Sequence, residues 1–283
     1  MLIDWHTNLW LDEHLTEEHR RDMNVRSGGR KTDASPQRHE RDVAGVADRF
    51  GVVAIRWPRL GVDVPNDFVA DYVSRFPDRA VGFACVDPMD PGAPDELERA
   101  IKTLGLHGLK LGPTYQGFDP WSNEAWQLYE IANDLRIPIL WHQASAFPAQ
   151  SILEYGRPYL IDKIARAFPD MRMILAHFGK PWANETVHIL RKHKQIFTDV
   201  SAVVYRSWEM YDALLRAKDY GVMDQVLFGS DFPVQTTTEA LASLRNVAAE
   251  YQGMPRISDT VIEDIIFNRP FDLVWGRDPL AAI

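Results

Sequence analysis

Apolar residues recur along this chain in short runs, separated by stretches with helical periodicity. Eight runs read as buried strands: Leu2–His6, Val52–Arg56, Val81–Cys85, Gly108–Leu111, Pro138–His142, Met171–His177, Ile196–Asp199 and Val226–Gly229. Between them, apolar positions three and four residues apart predict helices. These cover Arg41–Phe50, Asn66–Phe76, Asp95–Leu104, Asn123–Leu135, Leu160–Phe168, Asn184–His193, Ser207–Tyr220 and Thr238–Tyr251, and Ser258–Phe267 closes the chain. Phe76-Pro77-Asp78 and Phe168-Pro169-Asp170 are stop signals, because proline cannot continue a helix. Ser122 and Ser258 suit N-caps.

Strict alternation of strand and helix over 283 residues predicts an α/β fold, a single (β/α)8 TIM barrel spanning residues 1–283. The competing architecture, an open doubly wound sheet, usually carries a glycine-rich phosphate loop after its first strand. Here Thr7-Asn8-Leu9-Trp10 follows instead. The connection from Thr7 to Glu40 is long, polar and charged, with Ser27-Gly28-Gly29 and Ser35-Pro36 as breakers. Structureless loops of that length are usually functional or disordered. On a barrel this one rises from the C-terminal face, so residues 7–40 read either as a lid or as a mobile or oligomer-contact insertion.

Composition narrows the function. Hydrophobic residues make up 46% and charged residues 25%, ordinary for a globular domain with a sizeable core. A net charge of −9 repels phosphate backbones and argues against nucleic acid as a partner, while leaving room for a small anionic substrate. No run approaches the roughly 20 apolar residues of a membrane span. Met1-Leu2-Ile3-Asp4-Trp5-His6 lacks the features of a signal peptide. With one cysteine, Cys85, no internal disulfide forms, which fits a cytoplasmic protein. The acidic surface and the first loop are compatible with a homodimer.

Residues at the C-terminal ends of barrel strands face the active site. His6, His142 and His177 end three apolar strands, and Asp231 follows a fourth. Each alone reads as a structural residue or a cap. Together they are the ligand types of a catalytic zinc or similar divalent site. His14, His19, His39, His107, His188 and His193 read as surface or connector residues. Cys85 ends the third strand and reads as a buried structural thiol.

The same segments resemble the amidohydrolase superfamily, and within it the amidohydrolase-related branch of decarboxylases and metal-dependent hydrolases. Asp4-Trp5-His6-Thr7-Asn8 resembles the opening Asp-x-His-x-His strand, and Gly108-Leu109-Lys110 the Gly-x-Lys strand. Leu140-Trp141-His142 and Ala176-His177-Phe178-Gly179 resemble the fifth and sixth strand ends. Gly229-Ser230-Asp231-Phe232-Pro233 resembles the Gly-Ser/Thr-Asp-x-Pro turn, and Asn268-Arg269 the closing Asn segment. The resemblance implies one divalent metal held by His6, His142 and Asp231, with His177, alongside Asp231, as the catalytic residues. Asn8 stands where the family has a second histidine. Its amide oxygen is a weaker zinc ligand than imidazole, so the metal implied is zinc or a harder ion such as manganese. Some superfamily relatives work without metal.

The leading expectation is a metal-dependent hydrolase of a small ester, lactone or amide, with metal-activated water and a histidine base. The alternative is non-oxidative decarboxylation of an aromatic or enolic carboxylate. A metal-free lactonase or a non-catalytic binding barrel is the further alternative, supported by Asn8 alone. Lys110, Arg56, Lys180 and Arg206 are the candidate cations for a substrate carboxylate. Trp141 heads the candidate ring contacts, among Trp5, Trp10, Trp57, Tyr115, Phe147, Phe178, Trp182, Tyr205 and Phe232 at strand ends. An aromatic-lined pocket suits a ring or lactone substrate.

Overall fold

Eight short strands follow one another in chain order: β1 (Ile3–Asn8), β2 (Arg49–Val53), β3 (Ala80–Cys85), β4 (Gly108–Leu111), β5 (Ile139–Trp141), β6 (Met173–Leu175), β7 (Ile196–Asp199) and β8 (Val226–Leu227). The structure, a computed structural model, describes residues 1–26, 32–251 and 253–281. Each strand pairs in parallel with the next. Trp5 N donates to Phe228 O (3.0 Å), Asp231 N to His6 O (2.9 Å) and Asn8 N to Phe232 O (2.9 Å), which brings the β8 end back against β1. The result is a (β/α)8 barrel. Its strands are near-continuous apolar runs because the interior covers one face and the helices cover the other.

The helices stop and start largely where their side chains dictate. Ser122 and Ser258 accept from Ala125 N and Val261 N. Thr236 and Glu239 form a reciprocal capping box. One predicted helix is wrong: Arg41–Phe50 is not helical throughout. The helical segment runs from Pro36 to Ala44, and Arg49 and Phe50 already belong to β2. Pro36 opens this helix rather than breaking the chain, since its fixed φ and missing N–H suit the first turn.

Nor is the segment after β1 structureless. It carries a short 3-10 turn at Asp12–His14 and a helix at Glu17–Arg26. Ser27, Gly28 and Gly29 lie outside the described residues. The second strand ends at Val53, earlier than expected. Arg56–Trp57 leaves the barrel to pair antiparallel with Val62–Asp63.

The N-terminal end of the barrel is plugged. Trp5 stacks on Trp275 at 5.9 Å and meets the edge of Phe271 at 5.0 Å, and its Nε1 donates to Arg269 O. Chemistry is thus confined to the opposite end. Among the described residues no helix is long and apolar enough to cross a membrane.

His19, His39 and His193, read from the sequence as surface or connector residues, are buried. His39 bridges Thr7 Oγ1 and Tyr72 OH at 2.8 Å each, and burial pushes its pKa down to about 3. An unfolded chain protonates this ring near pH 6.5 while the native chain does not. Stability from a neutral His39 is therefore full above pH 6.5 and is lost as pH falls towards 3. Asp4 has the opposite sign, since burial raises its carboxyl to about 6 and the native state takes up that proton first. Comparing His39→Gln with the parent isolates the His39 contribution. Melting temperature should fall less steeply from pH 7 to pH 4.5 in the variant, and parallel curves would mean that His39 charges in the native state.

Candidate active site

Six strands deliver ionisable groups to the open end. His6 lies on β1, Lys110 on β4 and Asp199 at the end of β7, while His142 directly follows β5 and His177 lies two residues beyond β6. Asp231 sits in the turn after β8. Lys110 and Asp199 are fully buried, and His6, His142 and His177 nearly so.

Asp199 organises the cluster. Its Oδ2 accepts from His6 Nδ1 at 3.0 Å. Its Oδ1 accepts from His177 N at 2.9 Å, from Ser201 N at 3.0 Å and from the Ser201 hydroxyl. Burial alone would raise this carboxyl, but the His6 and Ser201 contacts and the His177 amide hold it below the usual carboxylate range. His177 Nδ1 rests on Ser201 Oγ at 2.8 Å and on Ser201 O at 3.1 Å. His142 Nε2 faces Ser145 O at 3.2 Å.

These partners fix the tautomers. A carboxylate or a carbonyl can only accept, so all three imidazoles keep their proton on the outer nitrogen. The inner nitrogens, His6 Nε2, His142 Nδ1 and His177 Nε2, are bare. His142 Nδ1 and His177 Nε2 face each other at 3.0 Å, lone pair to lone pair. Burial first, then neighbouring positive charge, keeps both rings neutral well below the ordinary histidine pKa. Two bare nitrogens at that distance call for a cation between or beside them.

Asp231 adds an oxygen, with Oδ1 3.8 Å from His6 Nε2. His6, His177 and Asp231 can bring one ligand atom each within 4.8 Å of one another. Three inward imidazole nitrogens with outward N–H groups anchored, plus a carboxylate, form a donor set that fits a divalent ion. Two donors already touch this set. Lys110 Nζ lies 3.2 Å from His6 Nε2. Asn8 Nδ2 donates to Asp231 Oδ1 (2.9 Å) and to Phe232 O (2.8 Å). Burial lowers the Lys110 pKa to about 8, with Asp231 and Asp199 opposing the shift.

Left-handed backbone at non-glycine residues is concentrated here: His177 (φ 63), Phe178 (φ 52), Ala202 (φ 52) and Asp231 (φ 55). Such conformations cost about 1–3 kcal/mol each and persist where the surroundings over-determine them. The Asp199–His177 amide bond and the Asp231–His6 backbone bond supply that restraint.

Above this floor the cavity is largely apolar. Trp57 and Tyr115 stack at 4.1 Å with an 8° tilt on one wall, joined by Trp10, Phe147 and Tyr205. Leu15, His19, Met23 and Thr32, from the segment after β1, also line it, as does Arg206.

The structure brings together His6, Asn8, Lys110, His142, His177 and Asp231 from the sequence reading. It does not bring in Arg56 or Trp141. Arg56 Nε is bound to Asp63 Oδ1 at 2.7 Å in the side ribbon, and the residue is not part of the cavity wall. Trp141 turns outward and packs on the Tyr129 ring at 5.3 Å, because side chains alternate along β5. Lys180 donates to Ala202 O at 3.3 Å and is likewise absent from the wall. Cys85 is buried, with its thiol pushed up to about 12 by burial, so it is no nucleophile. Asp199, Ser201 and the cavity role of His19 were missed. Asp199 ends an apolar strand, the same signal that marked the histidines.

A (β/α)8 barrel with anchored imidazoles and a carboxylate facing one aromatic cavity offers groups suited to acid–base chemistry and to holding a divalent ion. The chain belongs to the Amidohydrolase family, whose sequence profile matches residues 3–266. It is 23% identical over 232 residues to a gamma-resorcylate decarboxylase of Polaromonas sp. strain JS666, covering 65% of this chain and 69% of that protein. Among solved structures, an uncharacterized TIM-barrel protein from Bordetella bronchiseptica superposes with a TM-score of 0.77 at 19% identity, covering 98% of this chain and 99% of the other. A dihydroxybenzoic acid decarboxylase from Polaromonas sp. JS666, with bound manganese and the inhibitor 2-nitroresorcinol, superposes with a TM-score of 0.68 at 17% identity, covering 100% and 99%. At these identities the structural likeness speaks for the fold.

Proposed function

We propose that this chain is a metal-dependent carboxy-lyase that removes carbon dioxide non-oxidatively from a hydroxylated aromatic carboxylate. The observation that carries this reading is the pairing of a buried ammonium, Lys110, with facing imidazoles beneath the Trp57–Tyr115 wall. Such a site holds an anionic group at its floor and a flat ring above it. Similarity to a gamma-resorcylate decarboxylase supports it and moves weight away from ester, lactone or amide hydrolysis.

His6, His142 and Asp231 would hold the ion. His142 Nε2 is anchored on a backbone carbonyl, as a ligand's outer nitrogen usually is. His177 is nearer to His6 and Asp231, but its outer nitrogen rests on a hydroxyl that leads to Asp199, an arrangement suited to a proton carrier. Bound by these residues, such an ion would supply Lewis acidity towards an anionic oxygen substrate. Lys110 adds positive charge at the same floor. The aromatic walls keep water from the ring. His177 Nε2, bare at rest, takes the proton of the substrate's phenolic hydroxyl and delivers it to the ring carbon that bears the carboxylate, the carbon–carboxylate bond breaks, and its electron pair restores the ring. Carbon dioxide leaves, and the proton consumed is replaced from solvent.

The test is a substrate panel with manganese- or zinc-loaded protein: ortho-hydroxylated benzoates, assayed for carbon dioxide, beside aryl esters and lactones, assayed for acid release. Carbon dioxide from the benzoates with esters and lactones untouched is the expected result. The reverse pattern would return the chain to the hydrolases.

A further inference from the structure

Two donors from this chain occupy the lone pairs that a metal ion would take. Lys110 Nζ is directed at His6 Nε2, and Asn8 Nδ2 at Asp231 Oδ1. Both are held in place. Lys110 is 1% exposed, on a strand whose four residues are all buried. The Asn8 amide is oriented by Phe232 O, a carbonyl that can only accept and therefore faces the amide nitrogen. We propose that Lys110 and Asn8 act as internal caps that close the cation site in the metal-free protein. A divalent ion then loads only by displacing them. The inference rests on the reading that this site takes such an ion.

The physics runs through charge and hydrogen bonding together. Asp199 is a buried carboxylate and Asp231 a largely buried one, and an isolated charge taken out of water is strongly unfavourable. Lys110 supplies a compensating cation from within the chain, so the two carboxylates are balanced without an ion. An incoming ion meets three obstacles: a like charge beside His6 Nε2, a donor to be stripped from Asp231, and the loss of a resident counter-ion. Only His142 Nδ1 and His177 Nε2 stand ready among the four inward donors.

Manganese alone is the probe. Its dissociation constant, measured by calorimetry, should be at least about ten-fold tighter for Lys110→Met than for the parent. Methionine keeps the length and removes the charge. The metal-free variant should also melt lower than the parent and regain stability on adding manganese by more than the parent does. Asn8→Ala leaves the charge untouched and frees Asp231 Oδ1, so it should tighten binding as well and serves if Lys110→Met does not fold. Unchanged or weaker affinity in a folded Lys110→Met protein overturns the inference, as does weaker binding by Asn8→Ala, which would make Asn8 a ligand. If parent and variants all fail to bind manganese, the metal part of the proposed function falls too. Tight binding by the parent with no gain in the variants sinks the capping inference alone.

Discussion

Asp199→Asn should lower kcat/KM for decarboxylation by about 10²–10⁴-fold in a protein that still folds. The reason is the number of donors converging on one carboxylate. His6 Nδ1, His177 N, Ser201 N and the Ser201 hydroxyl all donate to it. An amide has one accepting oxygen and one donating nitrogen. With the nitrogen at the Oδ2 position, His6 must move its proton to Nε2, and the inward lone pair is lost. With the nitrogen at Oδ1, the His177 and Ser201 donors lose their acceptor, and the left-handed backbone at His177 loses its restraint. Either orientation disturbs two histidines at once. Steady-state kinetics, with circular dichroism and metal content in parallel, give the answer. Activity within about three-fold of the parent would mean that Asp199 does not set the tautomers.

The second large effect separates the facing imidazoles. His177→Ala should lower turnover by about 10²–10⁴-fold while the protein keeps its metal, the loss typical of a missing general acid. His142→Ala should lose the metal and activity together. The outer partners make the difference, since Ser145 O can only hold a proton in place, whereas Ser201 Oγ connects His177 to Asp199. Elemental analysis of both variants reads the outcome. Metal loss in His177→Ala with retention in His142→Ala would exchange the two roles and place His177 with His6 and Asp231.

The barrel was legible because its strands are apolar runs and its helices amphipathic, and neither pattern depends on distant residues. Four of the polar groups, His6, His142, His177 and Asp231, were legible because they terminate those runs. Lys110 was visible as a charge inside a strand, an anomaly that needs a buried partner, and His6 provides one. Trp141 was misread although the signal existed. It precedes His142, and neighbours on a strand face opposite ways. Arg56 was misplaced because the side ribbon with Val62–Asp63 draws the chain out of the barrel after Val53. His39 lies in a polar stretch, and its burial depends on Thr7 and Tyr72, which only tertiary packing brings to it. The anchoring by Ser145 O and Ser201 Oγ, which fixes where each proton sits, was beyond reach for the same reason.

In the proposed reaction a proton from this site replaces a carboxylate on an aromatic ring. The most direct measurement is to run metal-loaded protein with ortho-hydroxylated benzoates in deuterium oxide and to locate the label by NMR. Carbon dioxide release with one deuterium at the vacated ring carbon, abolished in His177→Ala, is the expected result. Recovery of unlabelled benzoates, together with turnover of esters or lactones by the same preparation, would contradict it.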